Sequence, residues 1–130
     1  VHRPRRGREP RRRRSRGAIL GGYSRGGYAA PVIAGMHPGR WPLLVVIEAD
    51  APMSAASLAK AGVRAVALVA AEHGQERAGM TRTATALSAG GVRARLFVMP
   101  KSSHLYPDDM DDLMRRVLAF LVGGDDAGSP

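Results

Sequence analysis

Short apolar runs alternate with helix-like segments along most of this chain, and that alternation limits the possible folds more than any other feature. The runs Leu43 to Ile47 and Ala65 to Val69 are continuously apolar, as expected for strands buried on both faces. Helices between strands supply the crossovers that parallel neighbours need. The sequence therefore predicts an α/β fold: a predominantly parallel sheet of about four strands with helices on both faces. The predicted strands are Ala18 to Gly21, Leu43 to Glu48, Ala65 to Ala70 and Val92 to Met99.

The last of four predicted helices has the clearest pattern. Its apolar residues recur on one helical stripe, and its acidic residues stand in the first turns, where the helix dipole favours them. Gly123 and Gly124 end it. Pro31 lies inside the first predicted helix and should bend it or force a break. The predicted helices are Arg25 to Met36, Ser54 to Ala61, Glu76 to Ala89 and Asp108 to Val122.

The pentapeptide GYSRG, residues 22 to 26, stands between the first predicted strand and the first predicted helix. A G-x-S-x-G pattern in that setting is typical of a nucleophile elbow, a sharp turn that holds its serine in a strained conformation. We expect that positions 22 and 26 require glycine, because neighbouring backbone passes close to them and would collide with a β-carbon. Ser24 is therefore a candidate nucleophile.

His104 is the candidate base for that nucleophile. It follows the fourth predicted strand and precedes the last helix. A loop at the carboxyl edge of a parallel sheet is where ligands bind. Imidazole can take the serine proton and return it to a leaving group near neutral pH. The other histidines, His2, His37 and His73, lack this placement.

The positive charge of the chain is concentrated at one end. The formal net charge is +9 over 130 residues, and residues 1 to 16, with nine arginines and one glutamate, account for +8 of it. Such a run without apolar periodicity predicts a basic, disordered tail. The predicted organisation is thus a tail at 1–16, one domain at 17–123 and a flexible tail at 124–130.

Composition excludes several functional classes. The chain has no cysteine, which removes disulfide and thiolate chemistry. Its apolar runs are far shorter than the ~20 residues of a membrane span. No metal cluster or cofactor fingerprint is present, so neither a metal nor a cofactor is expected. The arginine run has no interleaved aromatic residues, which disfavours a nucleic-acid partner. Localisation stays open, with a slight preference for the cytoplasm.

From Gly17 to Val122 the chain resembles the C-terminal half of an α/β-hydrolase. The resemblance rests on the GYSRGG elbow, the three strand and helix units that follow, and the SSHLYP segment before the closing helix. The family uses the chain order serine, acid, histidine. The resemblance implies acyl transfer to water from an ester, thioester or amide. It also implies an oxyanion hole that includes the backbone N–H of Arg25, the residue after the nucleophile.

The acid of the implied triad departs from the commonest pattern. The family usually places an aspartate after the third strand of this half, where this chain has Gly74. Some members carry the acid at the end of the preceding strand, and the matching segment here, Leu43 to Pro52, offers Glu48 and Asp50. The sequence predicts Glu48 as the acid, with Asp50, Glu72 and Glu76 as alternatives. The competing interpretation is that Glu48 simply faces water at a strand end.

Three functional hypotheses follow from these residues. The first is a serine hydrolase with the triad Ser24, His104 and Glu48, acting on a small-molecule acyl substrate. Tyr23, Arg25, Tyr28, Leu105 and Tyr106 are the candidates for lining its pocket. The second is a non-catalytic fragment or remnant whose exposed edge strand pairs with a missing N-terminal half or with another copy. The third is a basic interaction protein that binds anions through residues 3 to 16.

Overall fold

The computed structural model describes residues 18–100 and 110–123. Within these residues the fold is a four-stranded parallel sheet with helices on both faces, as the sequence predicts. The predicted tails and His104 lie outside the described residues. The strands are β1 (Ile19–Tyr23), β2 (Leu43–Ile47), β3 (Ala65–Ala71) and β4 (Arg93–Met99), and the helices are α1 (Arg25–Met36), α2 (Ala55–Lys60), α3 (Arg77–Ala89) and α4 (Met110–Gly123).

The strands are paired in sequence order, β1-β2-β3-β4. Tyr23 pairs with Ile47, and Ile47 pairs with Val69, so the residues that follow β1 and β2 leave the sheet at the same edge. Every residue of β2 and of β3 is buried, whereas β1 is only partly buried and stands at the border of the sheet. The continuous apolar runs thus form the centre, as their composition predicts.

Two hydrophobic cores lie on opposite faces of the sheet. Alternate residues of β2 point to opposite faces: Leu44 and Val46 pack under α1, α2 and α3, whereas Val45 and Ile47 pack on the face that α4 covers. The side chains that the helices bury include Ala30 and Ala34 of α1, Leu58 of α2, Met80, Ala84 and Leu87 of α3, and Leu113, Val117, Phe120 and Leu121 of α4.

Local signals explain where the helices begin and continue. The side chain of Ser54 caps α2 by accepting a hydrogen bond from the backbone N–H of Ser57. In return, the Ser57 hydroxyl oxygen accepts a hydrogen bond from the backbone N–H of Ser54 at 3.3 Å. The sequence predicts either a bend or a break at Pro31; α1 runs through this residue without ending, so the break does not occur. Ala30 and Ala34 on either side of the proline are buried against the sheet, and that packing holds the helix together. None of the described helices is long and apolar enough to span a membrane.

Arg93 fixes the end of α4 to β4. Its guanidinium donates hydrogen bonds to the carbonyl oxygens of Phe120, at 2.9 Å, and Leu121, at 3.0 Å, near the C-terminus of the helix. The same group lies 4.7 Å from the centre of the Phe120 ring. A cation at this end of a helix is favourable because the helix dipole is negative there.

The packing of α4 predicts different effects for two neighbouring leucines. Leu121 is 2% exposed and Leu118 is 41% exposed. Leu121→Ala should lower the free energy of unfolding by about 2–5 kcal/mol, because it leaves a cavity between α4 and the sheet. Leu118→Ala, the matched control, should cost less than about 1 kcal/mol. Urea denaturation measures both; equal losses would contradict this orientation of α4.

Candidate active site

Ser24 lies in the turn between β1 and α1, with φ 57° and ψ −114°. Its backbone N–H donates to the carbonyl oxygen of Ile47 at 2.8 Å, which continues the parallel ladder by one residue. Its carbonyl oxygen accepts from the N–H of Tyr28 at 3.2 Å, which is the first hydrogen bond of α1. The serine is therefore held between a strand and a helix in a backbone conformation that residues other than glycine rarely adopt.

Two glycines make room for this turn. A β-carbon on Gly22 would overlap the carbonyl group of Gly26, and one on Gly27 would lie 2.8 Å from the β-carbon of Ala49. A β-carbon on Gly26 would meet no atom of residues 18–100 or 110–123 within 4 Å. The predicted need for glycine is thus confirmed at Gly22 and wrong at Gly26. The second close approach falls one residue later, at Gly27, where α1 packs on the segment after β2.

Arg25 is the first residue of α1, directly after Ser24. The first N–H groups of a helix have no acceptor within the helix, and they lie at the positive end of its dipole. The Arg25 side chain is exposed. Tyr23 instead packs against the core that α4 covers, so its ring contributes to packing. The predicted lining residues Leu105 and Tyr106 lie outside the described residues.

Glu48 is buried, with 2% of its surface exposed, so the water-facing interpretation is wrong. It follows β2 with φ 52°, and its backbone N–H donates to the carbonyl oxygen of Val69 at 2.8 Å. Its side-chain Oε1 accepts from the N–H of Ala71 at 2.7 Å. The backbone of β3 thus fixes both the main chain and the carboxylate of Glu48.

Gly74 lies against this carboxylate. A β-carbon at position 74 would lie 2.8 Å from Oε2 and 3.3 Å from Oε1 of Glu48. The carboxylate group therefore occupies the space into which a side chain at position 74 would extend. A glycine there is a steric consequence of Glu48.

The alternative acids have other contacts. Asp50 accepts a hydrogen bond from Thr83 Oγ1 at 3.3 Å, and Glu72 Oε1 lies 3.8 Å from Nε2 of His73. Glu76 Oε1 accepts from the backbone N–H of Asp50 at 2.9 Å and from the hydroxyl of Tyr28 at 3.3 Å. Each of these carboxylates has an identified structural partner.

The contact between Tyr28 and Glu76 is a part of the site that the sequence does not predict. Desolvation, followed by the charge and hydrogen bond of Glu76, raises the pKa of the Tyr28 hydroxyl above its ordinary value of 10.0. The phenol therefore stays protonated at neutral pH and donates to Glu76. Tyr28 and Glu76 are 48 residues apart in the chain, so no local pattern indicates the pair.

Among the described residues, no group of three or more histidine, cysteine, aspartate and glutamate side chains could hold a metal ion. A cleft of about 770 Å³ is lined in part by Arg64, Arg93 and Arg95. These residues stand at the amino ends of β3 and β4, whereas Ser24 and Glu48 follow the carboxyl ends of β1 and β2. The cleft is therefore remote from the candidate site.

Replacing glycine by alanine at two positions of the Ser24 turn should have opposite effects. Gly22→Ala should lower the free energy of unfolding by about 1–3 kcal/mol or more, because the new methyl group overlaps the Gly26 carbonyl. Gly26→Ala should be neutral or stabilising by up to about 1 kcal/mol, because alanine favours a helix. Denaturant unfolding of the matched pair measures this difference, and a reversed order would refute the described turn.

Comparison with known proteins supports the fold. No protein-family model matches the chain, and no curated protein matches it by sequence. Among solved structures, esterase PE8 is similar with a TM-score of 0.62 and 20% identity over 80% of this chain and 50% of that one. Est1E from Butyrivibrio proteoclasticus has a TM-score of 0.55 and 15% identity, covering 79% and 59% of the two chains.

Arabidopsis thaliana SOBER1 is similar with a TM-score of 0.52 and 15% identity, covering 77% of this chain and 50% of that one. These proteins have the α/β-hydrolase fold. The chain spans about half to three fifths of their lengths. Its four-stranded unit is accordingly part of an α/β-hydrolase fold.

Proposed function

Starting from this partial α/β-hydrolase fold, we propose that the chain carries the nucleophile, base and acid of a serine hydrolase. The observation that carries the proposal concerns the backbone. In residues 18–100 and 110–123, positive φ outside glycine occurs at Ser24 and Glu48, and at no other residue. Strained residues persist where surrounding structure fixes them, and they cluster at active sites. The two residues expected as nucleophile and acid are the two that this sheet holds in strained conformations.

The proposed reaction is acyl transfer from an ester, thioester or amide to water. His104 takes the proton of Ser24 Oγ as that oxygen attacks the carbonyl carbon. The Arg25 N–H stabilises the negative oxygen that forms. His104 then protonates the departing alcohol, thiol or amine, leaving an acyl-enzyme. A water molecule, deprotonated by His104, attacks this ester, and the carboxylic acid leaves as Ser24 regains its proton.

Glu48 is the proposed orienting acid. A buried carboxylate is costly unless its oxygens accept hydrogen bonds, and Glu48 Oε1 accepts one from the Ala71 N–H. Its carboxylate lies against Gly74, the position where the resembling family most often has its acid. A glutamate at position 48, as here, and an acid at position 74, as in most of the family, would therefore place a carboxylate at the same point of the site. An esterase among the structural neighbours agrees with this chemistry.

Labelling with a serine-directed fluorophosphonate tests the triad. The full chain should gain one adduct by intact mass, and Ser24→Ala and His104→Ala should gain none. Glu48→Gln should slow labelling at least ~100-fold, because the histidine loses the carboxylate that fixes its tautomer. Glu72→Gln is the control and should stay within a few-fold of the parent. Unchanged labelling in Glu48→Gln together with its loss in Glu72→Gln would contradict this assignment.

Moving the acid between the two positions sharpens the same experiment. Glu48→Gly with Gly74→Asp should recover part of the labelling that Glu48→Gly loses, because the new aspartate enters the vacated space. Gly74→Asp alone should destabilise the chain, since it would place two carboxylates against each other. A double variant as slow as Glu48→Gly would argue against a shared carboxylate site.

A second candidate function is that of an incomplete unit that acts only with further polypeptide. β1 stands at the border of the sheet, and α1, which packs on β1 and β2, has an outward apolar stripe. An outermost strand beside exposed apolar side chains is typical of an interface. The stripe consists of Tyr28, Val32, Ile33 and Met36, with 45%, 62%, 37% and 66% of their surfaces exposed.

Self-association measured by analytical ultracentrifugation tests this second candidate. The chain should associate as its concentration rises, and Val32→Lys with Met36→Lys should weaken association at least tenfold. Val122→Lys is the control, because Val122 is 64% exposed on α4, which covers the other face of the sheet. A monomer that turns over an ester substrate would count against the incomplete unit.

A further inference from the structure

The segment after β2 is tied to the start of α3 by the side chain of Glu76. This residue directly precedes α3, yet its carboxylate makes no capping bond to that helix. It reaches instead to the backbone N–H of Asp50, at 2.9 Å. Asp50 is two residues beyond Glu48 and partly buried. Glu76 thus holds the main chain just after the strained residue that we propose as the acid.

The side chain of Asp50 adds a second tie to α3. Its Oδ1 accepts from Thr83 Oγ1 at 3.3 Å, one turn along the helix from Gly79. A β-carbon on Gly79 would overlap the Asp50 carboxylate, so any other residue there would displace this side chain from its present position. Glycine inside a helix costs about 1 kcal/mol relative to alanine, and this contact accounts for its presence.

The same Glu76 oxygen also reaches the helix that begins at the candidate nucleophile. Oε1 accepts from the Tyr28 hydroxyl at 3.3 Å, and the Tyr28 N–H donates to the Ser24 carbonyl at 3.2 Å. One carboxylate oxygen therefore bridges α1, one turn after Ser24, and the backbone two residues after Glu48. Strands β1 and β2 already place these residues side by side, and Glu76 joins the segments that follow them.

We propose that Glu76 is a positioning residue, which bridges Tyr28 and Asp50 and thereby holds the Glu48 carboxylate on the Ala71 N–H. A non-glycine residue at φ 52° relaxes unless its neighbours fix it. β3 fixes the chain before and at Glu48, and Glu76 fixes it after. The catalytic meaning of this role rests on the proposed function; the structural role does not.

Amide hydrogen exchange followed by NMR tests the structural role on the full chain. The informative amide is Ala71, which donates to Glu48 Oε1. In Glu76→Ala it should exchange about tenfold faster, because the Glu48 turn is no longer held. Glu76→Gln keeps an acceptor oxygen and should stay within about twofold of the parent. Ala67, buried in the middle of β3, is the internal control and should not change.

Two results would overturn the proposal: unchanged exchange at Ala71 in Glu76→Ala, or an equal increase at Ala67, which would mean a general loss of stability. Tyr28→Phe provides a milder variant, should Glu76→Ala not fold. It removes one of the two bonds to Glu76 and should raise Ala71 exchange about threefold; no increase would also overturn the proposal.

Fluorophosphonate labelling of the same variants separates this proposal from the proposed function. Labelling of Ser24 should slow about tenfold in Glu76→Ala and recover in Glu76→Gln. If the parent chain is not labelled while Ala71 exchange responds as expected, the hydrolase assignment fails and the structural role of Glu76 stands. If the parent is labelled and Ala71 exchange does not respond, the structural role of Glu76 fails and the hydrolase assignment stands.

Discussion

The parallel register of β1, β2 and β3 is the constraint on which the candidate site depends. Because Tyr23, Ile47 and Val69 lie in one row, the residues after β1 and β2 emerge side by side at the carboxyl edge. Ser24 and Glu48 then each donate a backbone N–H to the neighbouring strand. A shift of one residue in either pairing would turn the side chains of a strand to the opposite face of the sheet. Such a shift would disrupt the packing of both hydrophobic cores, since β2 and β3 bury side chains on both faces of the sheet.

Close approach of neighbouring atoms is the second constraint, and glycines meet it at four positions around the site. Gly22 and Gly27 let the Ser24 turn pack on itself and on the segment after β2. Gly74 and Gly79 leave space for the carboxylates of Glu48 and Asp50. In this region the chain has glycine where a side chain would collide with backbone, with a neighbouring methyl group or with a carboxylate. The site is therefore built from strand ends that are held close together and has little room to relax.

The sequence predicts the helices and strands well because each has a local cause. Continuous apolar runs indicated β2 and β3, and the amphipathic pattern with its acidic start indicated α4. The break expected at Pro31 did not occur, because packing of neighbouring alanines outweighs one missing hydrogen bond. The motif predicts a steric role at Gly26, whereas the close approach occurs at Gly27, since the spacing of a motif does not reveal which atoms meet. The bond between Tyr28 and Glu76 joins residues far apart in the chain, and no periodicity indicates it.

The amino-acid sequence by itself determined the α/β class, the four strands and the turn that carries Ser24, because strand and helix patterns and turn glycines act within a few residues. Only the tertiary structure decided that Glu48 is buried, that its carboxylate fills the space beside Gly74, and that Glu76 links Tyr28 to Asp50. Those facts depend on which strand ends become neighbours and on how closely α1 and α3 approach them. Such distances arise from packing of the whole sheet, which local patterns do not encode.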